Sequence, residues 1–219
     1  LAARLDNAGA PDLADAAYTL QLGRQAMKQR RIVVARSAHE AAALLEAKET
    51  KEVFSATAPE RARSVAFMFA GGGAQYPNMG ADLYRHEPVF RDAVDECLDL
   101  LRRRTGADIR SVLFPGEGDD KAAAARLEKP SLALPALMTI QVAQARLWMS
   151  WGIAPTAMIG HSMGEYTAAH LAGVFSLEDA LALVELRGRL FETLPEGAML
   201  SVSLPAGELA ALMGPELSI

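Results

Sequence analysis

Apolar residues near the start of the chain recur at the spacing of one helical face. After Asp12 they fall at Leu13, Ala16, Ala17 and Leu20. This spacing predicts a helix that closes at Gly23. A strand over residues 31–35 and an alanine-rich helix over residues 37–47 are predicted next. Residues 48–63 are mostly polar, so we expect them to form the boundary of a small α/β unit.

A second α/β unit is predicted from residue 65 onward. Residues 65–69 form a continuous apolar run, which is typical of a strand buried on both faces of a parallel sheet. The run at residues 157–159 predicts another strand. Between these runs, helices are predicted over residues 88–104, 108–113, 121–127 and 134–151. The last of these is apolar on most sides, which indicates a central packed helix.

Residues 160–164 read Gly-His-Ser-Met-Gly and lie between a predicted strand and a predicted helix. Where a strand turns sharply into a helix, the central residue of the turn is strained, and glycines on both sides of it avoid clashes with the neighbouring backbone. Ser162 is then exposed at a helix N-terminus, where free N–H groups stabilise developing negative charge. The pattern predicts a serine nucleophile that attacks a thioester or an ester.

The region after this turn is predicted to contain further helices and one more strand. Ser176, three residues before Asp179, predicts a capping box for a helix that runs to about Thr193. Residues 198–204 have the character of a strand, and residues 206–213 have the character of a helix.

Composition and charge argue against several classes of protein. The 219 residues carry a net charge of −5, which argues against a nucleic-acid partner. No stretch predicts a signal peptide or a membrane span. Cys97, the single cysteine, falls in an amphipathic pattern and is expected to be a buried, inert thiol in a reducing, cytoplasmic compartment. The sequence begins at Leu1, and we expect it to be a piece of a longer protein.

A serine nucleophile needs a general base. His170 lies eight residues beyond the serine on the same predicted helix. That spacing corresponds to about 12 Å, which is too far for direct proton transfer. His39 and His86 have no motif around them, and the turn directs the side chain of His161 away from the serine, so His161 is expected to line the pocket. The base is therefore expected beyond Ile219.

An oxyanion site needs two backbone N–H groups that converge on one oxygen atom. The residue after the serine, Met163, normally provides one of them. Gly72, within the loop Gly71–Gly73, is the candidate for the other, although an ordinary turn between a strand and a helix explains this loop equally well. The glycine spacing does not match a nucleotide-binding fingerprint, and no metal site is predicted.

Arg187 falls on the apolar face of the helix predicted from Ser176. A guanidinium on an inward face is costly unless an anion neutralises it. Two interpretations stay open at this point. One is an internal salt bridge, and the other is bidentate capture of a substrate carboxylate.

Four segments in this order resemble the acyltransferase domain of type I polyketide synthases, of the malonyl-CoA:acyl carrier protein transacylase family. They are FAGGGAQY (69–76), LPALMTIQVAQARLWMSWGIAP (134–155), IGHSMGEYTAAHLAGVFSLEDAL (159–181) and ELRGRL (185–190). The segments DLADAAYTLQLGR and RRIVVA resemble part of the linker that joins such a domain to a ketosynthase.

The resemblance implies an α/β fold with a parallel-sheet, α/β-hydrolase-like body. It implies a partial linker at residues 1–62, a large subdomain at residues 63–197, and the truncated start of a ferredoxin-like small subdomain at residues 198–219. No bound cofactor is implied, because malonyl-CoA is the substrate and phosphopantetheine is carried by the acyl carrier protein. The implied partners are that carrier protein and the ketosynthase of the same polypeptide, with no nucleic acid and no membrane.

The resemblance also implies roles for individual residues. Ser162 takes the acyl group from a malonyl-type CoA thioester and passes it to the carrier protein. Arg187 matches the arginine that binds the free carboxylate, and Gly72 and Met163 match the two oxyanion positions. The histidine base and the substrate-selecting motif of the family fall after residue 219.

Two positions depart from the family pattern, and two other functions stay open. Gly72 and Leu134 each stand where the family usually has a glutamine. One alternative is a serine hydrolase or thioesterase, which shares the serine turn and releases the acid to water. The other is a degenerate, non-catalytic domain that serves as a docking surface.

Overall fold

The computed structural model describes residues 1–47, 51–60, 63–195, 197 and 200–219. These residues form two compact units, Leu1–Ser64 and Val65–Ile219. In each unit the described residues combine helices with a two-stranded sheet, which confirms the predicted α/β class. The finer division at residues 62 and 197 stays a prediction.

The first unit contains short helices and one antiparallel sheet. Its elements are α1 (Ala2–Leu5), α2 (Leu13–Leu22), β1 (Gln29–Val33), α3 (Ala38–Glu46) and β2 (Val53–Thr57). The carboxylate of Asp12 accepts a hydrogen bond from Ala14 N at the start of α2. The hydroxyl of Ser37 accepts one from Glu40 N at the start of α3. These caps satisfy N–H groups that a helix leaves unpaired, and both predicted helices are confirmed.

The strand β2 corrects our interpretation of residues 48–63 as a polar boundary. It pairs with β1 in antiparallel orientation, with Val33 opposite Val53 at one end. Val53 is buried and the other residues of β2 are exposed, so the strand lacks the alternation that would reveal it. Residues 48–50 and 61–62 of this stretch lie outside the described residues.

The second unit is built around one long helix. Its elements are β3 (Ala66–Phe69), α4 (Ala81–His86), α5 (Pro88–Thr105), α6 (Arg110–Leu113), α7 (Asp120–Arg126), α8 (Pro130–Ser150), β4 (Ala157–Gly160), α9 (Gly164–Leu171), α10 (Leu177–Phe191) and α11 (Ala206–Ala210). The helix α8 packs against α5 and α10 and buries Leu137, Met138 and Val142. This confirms the predicted central helix. Across the described ranges, no helix is long and apolar enough to cross a membrane.

The strands β3 and β4 pair in parallel and position the site. Ala66 lies opposite Ala157, and Phe69 lies opposite Gly160. Because the strands are parallel, their carboxyl ends meet at one edge of the sheet, where α/β proteins usually bind ligands. The loop Gly71–Gly73 follows β3 and the serine turn follows β4, so both segments begin at this edge.

The strand β3 is not buried on both faces, as its apolar run predicted. Phe69 is buried, but 79% of the surface of Met68 is exposed. Among the described residues, β4 is the only strand that pairs with β3. Without further strands and a second helical layer, one face of an apolar strand stays open.

Two other elements differ from the sequence prediction. The strand predicted over residues 198–204 is not formed in residues 200–204, which are its described part. No described strand lies beside these residues to pair with them. Residues 198–199 lie outside the description. The short helix α4 was missed because it buries no residue and therefore shows no apolar face. α11 confirms a shortened version of the helix predicted over 206–213.

Candidate active site

The turn between β4 and α9 has the strained geometry expected of a nucleophile. Ser162 has a φ of +52°, in the left-handed region that residues other than glycine rarely adopt. Such a conformation costs about 1–3 kcal/mol and persists only where the surrounding structure enforces it. The side chain of Ser162 is exposed, because α9 begins two residues later at Gly164 and the turn points outward.

Close backbone approaches explain the two glycines of this turn. A Cβ atom on Gly160 would lie 2.2 Å from Glu165 N, and one on Gly164 would lie 2.2 Å from Phe69 O. Real Cβ atoms essentially never approach backbone this closely. The close contact between α9 and the two strands therefore requires glycine at both positions.

Arg187 is in direct contact with the serine. Its Nη2 donates a hydrogen bond of 3.2 Å to Ser162 Oγ. Of the two interpretations left open above, the internal salt bridge finds no support in the described residues, none of whose carboxylates pairs with Arg187. The neighbouring Arg189 behaves differently, since its Nε lies 2.8 Å from the buried carboxylate of Glu185. Among the described residues, no carboxylate would therefore compete with an external anion for the cation beside the serine.

Two aromatic rings surround the guanidinium of Arg187. Its Cζ lies 5.4 Å from the ring centroid of Tyr166 on α9 and 5.3 Å from that of Phe191 on α10. Both distances are within the range of a cation–π interaction, which is about 6 Å. The sequence indicated neither contact, because each depends on how α9 and α10 pack together.

The glycine loop after β3 packs closely against other parts of the site. A Cβ on Gly71 would lie 2.5 Å from His161 Nδ1, so the imidazole ring covers this position. A Cβ on Gly72 would lie 3.2 Å from Leu134 Cδ2. The two positions that depart from the family pattern, Gly72 and Leu134, are therefore neighbours in space.

The two backbone N–H groups predicted for the oxyanion site have no acceptor among the described residues. They belong to Gly72 in the loop and to Met163 immediately after the serine. The side chain of Met163 is buried in the core, with 1% of its surface exposed, so the backbone at this position is firmly held. Free, fixed donors of this kind are what an oxyanion site requires.

Sequence reasoning missed a buried polar link behind the site. Gln141 on α8 donates from Nε2 to Ala70 O, 2.7 Å away, and accepts at Oε1 from Thr167 Oγ1, also 2.7 Å away. It thereby connects α8 to the start of the glycine loop and to α9. The available signal was a glutamine within an otherwise apolar helix, since buried polar groups are kept only when they are hydrogen-bonded.

None of the described histidine rings hydrogen-bonds to Ser162. His39 pairs with Asp6, 2.6 Å away in the first unit, and His170 Nδ1 lies 3.1 Å from Phe175 O. His161 packs over the glycine loop as described above. The described residues therefore bring the cation to the serine and place no histidine ring in hydrogen-bond contact with it.

The chain matches known families over most of its length. The family described as Acyl transferase domain matches residues 66–219, and the family described as CurL-like, PKS C-terminal matches residues 1–45. The chain belongs to the acyl transferase domain family. The match includes β3, the serine turn and α10, which are the elements that carry the residues of the site.

The chain spans only part of the length of the proteins that it resembles. The spectinabilin polyketide synthase system protein NorA of Streptomyces orinoci is 41% identical, over 91% of this chain and 10% of NorA. The solved acyl transferase domain of ZmaA is 44% identical with a TM-score of 0.89, over 97% of this chain and 49% of that one. The complex PlMCAT:AntF, a type II PKS acyl carrier protein with its malonyl-transacylase, is 38% identical with a TM-score of 0.52, over 62% of this chain and 41% of that one.

The cysteine of this acyl transferase chain is inert, as predicted. Cys97 lies within the core on α5 with no exposed surface. Burial raises the pKa of the Cys97 thiol from 9.0 to about 12. The thiol is therefore neutral at physiological pH, and it is inaccessible to a substrate.

Proposed function

We propose that the protein containing this chain transfers a malonyl-type extender unit from CoA to the phosphopantetheine thiol of an acyl carrier protein, through an acyl ester on Ser162. The observation that carries the proposal is the hydrogen bond of 3.2 Å from Arg187 Nη2 to Ser162 Oγ. It joins a strained, exposed hydroxyl to a cation without a carboxylate partner among the described residues. This pair suits a substrate with both a thioester and a free carboxylate.

The size of a malonyl group fits the contact between the two residues. One methylene separates its carboxylate from its thioester carbonyl, so a carboxylate held by Arg187 brings the carbonyl carbon to Ser162. The planar guanidinium can bind the carboxylate through two hydrogen bonds, which also fixes its orientation. Acetyl-CoA lacks the carboxylate and gains nothing from this contact. Arg187 thus selects carboxylated acyl-CoA thioesters. Discrimination between different α-substituents is assigned to other residues.

In the first half-reaction, Ser162 Oγ attacks the thioester carbon and a base removes its proton. A C–O bond forms, and the carbonyl oxygen becomes negatively charged. The N–H groups of Gly72 and Met163 are proposed to hold this oxygen, because both are free of other acceptors in the described chain. The tetrahedral intermediate then breaks its C–S bond, and CoA leaves as a thiol with the proton from the base.

In the second half-reaction, the thiol of the carrier protein attacks the acyl-serine carbon. A C–S bond forms as the base takes the thiol proton, the C–O bond to Ser162 breaks, and the base returns that proton to the serine. We place the base outside residues 1–219, in the part of the domain that this chain does not include. The coverage of 49% of the ZmaA domain supports this placement. His161 is assigned to the pocket wall beside Gly71.

The wider assignments are part of the same proposal. Residues 1–62 would be part of the linker to a ketosynthase, which the match over residues 1–45 supports. Residues 63–197 and 198–219 would be the large subdomain of a hydrolase-like body and the start of a ferredoxin-like small subdomain. The PlMCAT:AntF complex supports an acyl carrier protein as partner. A free, buried Cys97 is compatible with a cytoplasmic protein.

A non-catalytic docking domain is a second candidate, and the contact between Gly72 and Leu134 favours it. A Cβ atom on Gly72 would lie 3.2 Å from Leu134 Cδ2, so both departures from the family pattern fall beside the proposed oxyanion site. Each change removes an amide side chain from this region. In this alternative, Ser162 is never acylated.

Product analysis of the complete protein separates the candidate functions. The protein is incubated with malonyl-CoA, with and without phosphopantetheinylated carrier protein, and the products are identified by mass spectrometry. The transferase proposal requires malonyl carrier protein, and its absence overturns that proposal. Free malonate formed equally fast without carrier would indicate a hydrolase. Release of neither product would indicate docking. The Ser162→Ala variant is the control for uncatalysed transfer.

A further inference from the structure

Within the described part of the chain, the guanidinium of Arg187 has no fixed anionic partner, although it must be held in one place to act on a substrate. An arginine side chain has several rotatable bonds, and ordering it costs conformational entropy. The usual anchor would be a carboxylate of the protein, as Glu185 is for Arg189. A carboxylate on Arg187 would compete with the carboxylate of the substrate. The anchor therefore has to leave the N–H groups of Arg187 free.

Aromatic faces meet this requirement. The rings of Tyr166 and Phe191 lie 5.4 and 5.3 Å from Arg187 Cζ. A π face attracts a cation through its quadrupole and does not need the N–H donors at the edge of the guanidinium. Such contacts hold the position of the cation and leave its hydrogen-bonding edge to Ser162 and to an incoming carboxylate.

The two rings come from the two helices that carry the site. Tyr166 lies four residues after Ser162 on α9, and its ring packs against the main core cluster. Phe191 lies four residues after Arg187 on α10, which places both side chains on one face of that helix. Tyr166 therefore fixes the guanidinium relative to the serine, and Phe191 restrains it from its own helix.

We propose that Tyr166 and Phe191 are positioning residues for Arg187, and that together they set the preference of the enzyme for carboxylated over uncharged acyl-CoA thioesters. This inference rests on the proposed function, because it assumes that Arg187 binds the substrate carboxylate. Neither ring takes part in the chemistry of acyl transfer. Their effect on the reaction passes through Arg187.

The test compares ring-deleting and ring-keeping variants in the complete protein. The deleting variants are Tyr166→Leu and Phe191→Leu, and the matched controls are Tyr166→Phe and Phe191→Tyr. Tyr18→Leu removes an exposed ring in the first unit and controls for general effects. For each variant, kcat/KM for acylation of Ser162 is measured with malonyl-CoA and with acetyl-CoA, and the ratio of the two values is the readout.

We expect each leucine variant to lower the malonyl-to-acetyl ratio by about fivefold, mainly through a higher KM for malonyl-CoA. The ring-keeping variants and Tyr18→Leu should stay within about twofold of the wild-type ratio. In an Arg187→Ala background, Tyr166→Leu should not lower the ratio further. This last result separates positioning of Arg187 from a structural role, since a general packing defect would act in both backgrounds.

A wild-type ratio in both leucine variants would overturn the inference, whether their activity towards the two substrates is unchanged or falls equally. Failure of the proposed function gives a different result, because the wild-type protein would then form no acyl-serine or would show no preference for malonyl-CoA.

Discussion

Arg187 Nη2 and Ser162 Oγ lie 3.2 Å apart, although 25 positions separate the two residues in the sequence. The contact exists because α9 starts two residues after Ser162 and α10 packs against α9. A cation in contact with a hydroxyl also favours the alkoxide character that develops when the hydroxyl attacks. The proposed function therefore gives one side chain two roles, to recognise a carboxylate and to assist the nucleophile beside it.

The first prediction concerns selectivity for the carboxylate. Arg187→Ala should lower the malonyl-to-acetyl ratio of kcat/KM by about 10- to 100-fold, because hydrogen bonds to a charged group contribute about 1.5–3 kcal/mol. Arg187→Lys should fall between the wild type and the alanine variant, since a lysine keeps the charge and loses bidentate geometry. Steady-state acylation with the two CoA thioesters measures this ratio. An unchanged ratio in Arg187→Ala would refute the carboxylate assignment.

The second prediction concerns the close approach at the serine turn. In Gly164→Ala the new Cβ would lie 2.2 Å from Phe69 O, so the backbone of β3 or α9 must move. Overpacking of this kind costs about 1–3 kcal/mol, and it should also displace Ser162 and slow its acylation. Gly207→Ala on α11 is the matched control, because a Cβ there meets no atom within 4 Å. Thermal unfolding of both variants measures the difference, and equal melting temperatures would contradict the account.

The third prediction concerns the buried link behind the site. Gln141→Met keeps the side-chain length but leaves Ala70 O and the Thr167 hydroxyl without their partner. We expect a loss of about 1–3 kcal/mol in the free energy of unfolding, since unsatisfied buried polar groups cost this much. Gln144→Met is the control on the same helix, because Gln144 is exposed. Chemical denaturation compares the two variants, and similar losses would show that the link does not stabilise the fold.

The fourth prediction follows from the buried thiol. Burial raises the pKa of Cys97 from 9.0 to about 12, so the folded state keeps the proton that the unfolded state loses. The resulting stabilisation is fully present below about pH 9 and is lost as the pH rises towards 12. Stability should therefore fall more steeply above pH 9 in the wild type than in Cys97→Ala. Parallel stability curves for the two proteins would contradict the assigned pKa.

Local chemistry made much of this site predictable from the sequence. The glycines around Ser162 and the capping serine of α10 act over a few residues, so their pattern identifies the turn and the helix. Arg187 could be placed on an apolar face, but its contact with Ser162 depends on how α9 and α10 pack. The same holds for Tyr166, whose ring is indistinguishable from a core residue until the helices are in place.

The errors have a similar physical origin. β2 was missed because its stability comes from pairing with β1, and a single buried residue, Val53, leaves no pattern. The apolar run of β3 predicted a strand covered on both faces, yet Met68 is open in this structure. In both cases the sequence shows the residues of the strand but not the elements that pair with it or cover it.

The most direct test of the account is to locate the acyl group on the complete protein. After incubation with malonyl-CoA and rapid acid quenching, peptide mass spectrometry should find a malonyl ester on Ser162, and the Ser162→Ala variant should carry none. Acetyl-CoA should label the same residue far more weakly. A malonyl ester on another residue, or a wild-type protein that remains unlabelled, would contradict the claim that Ser162 and Arg187 form an acyl transferase site.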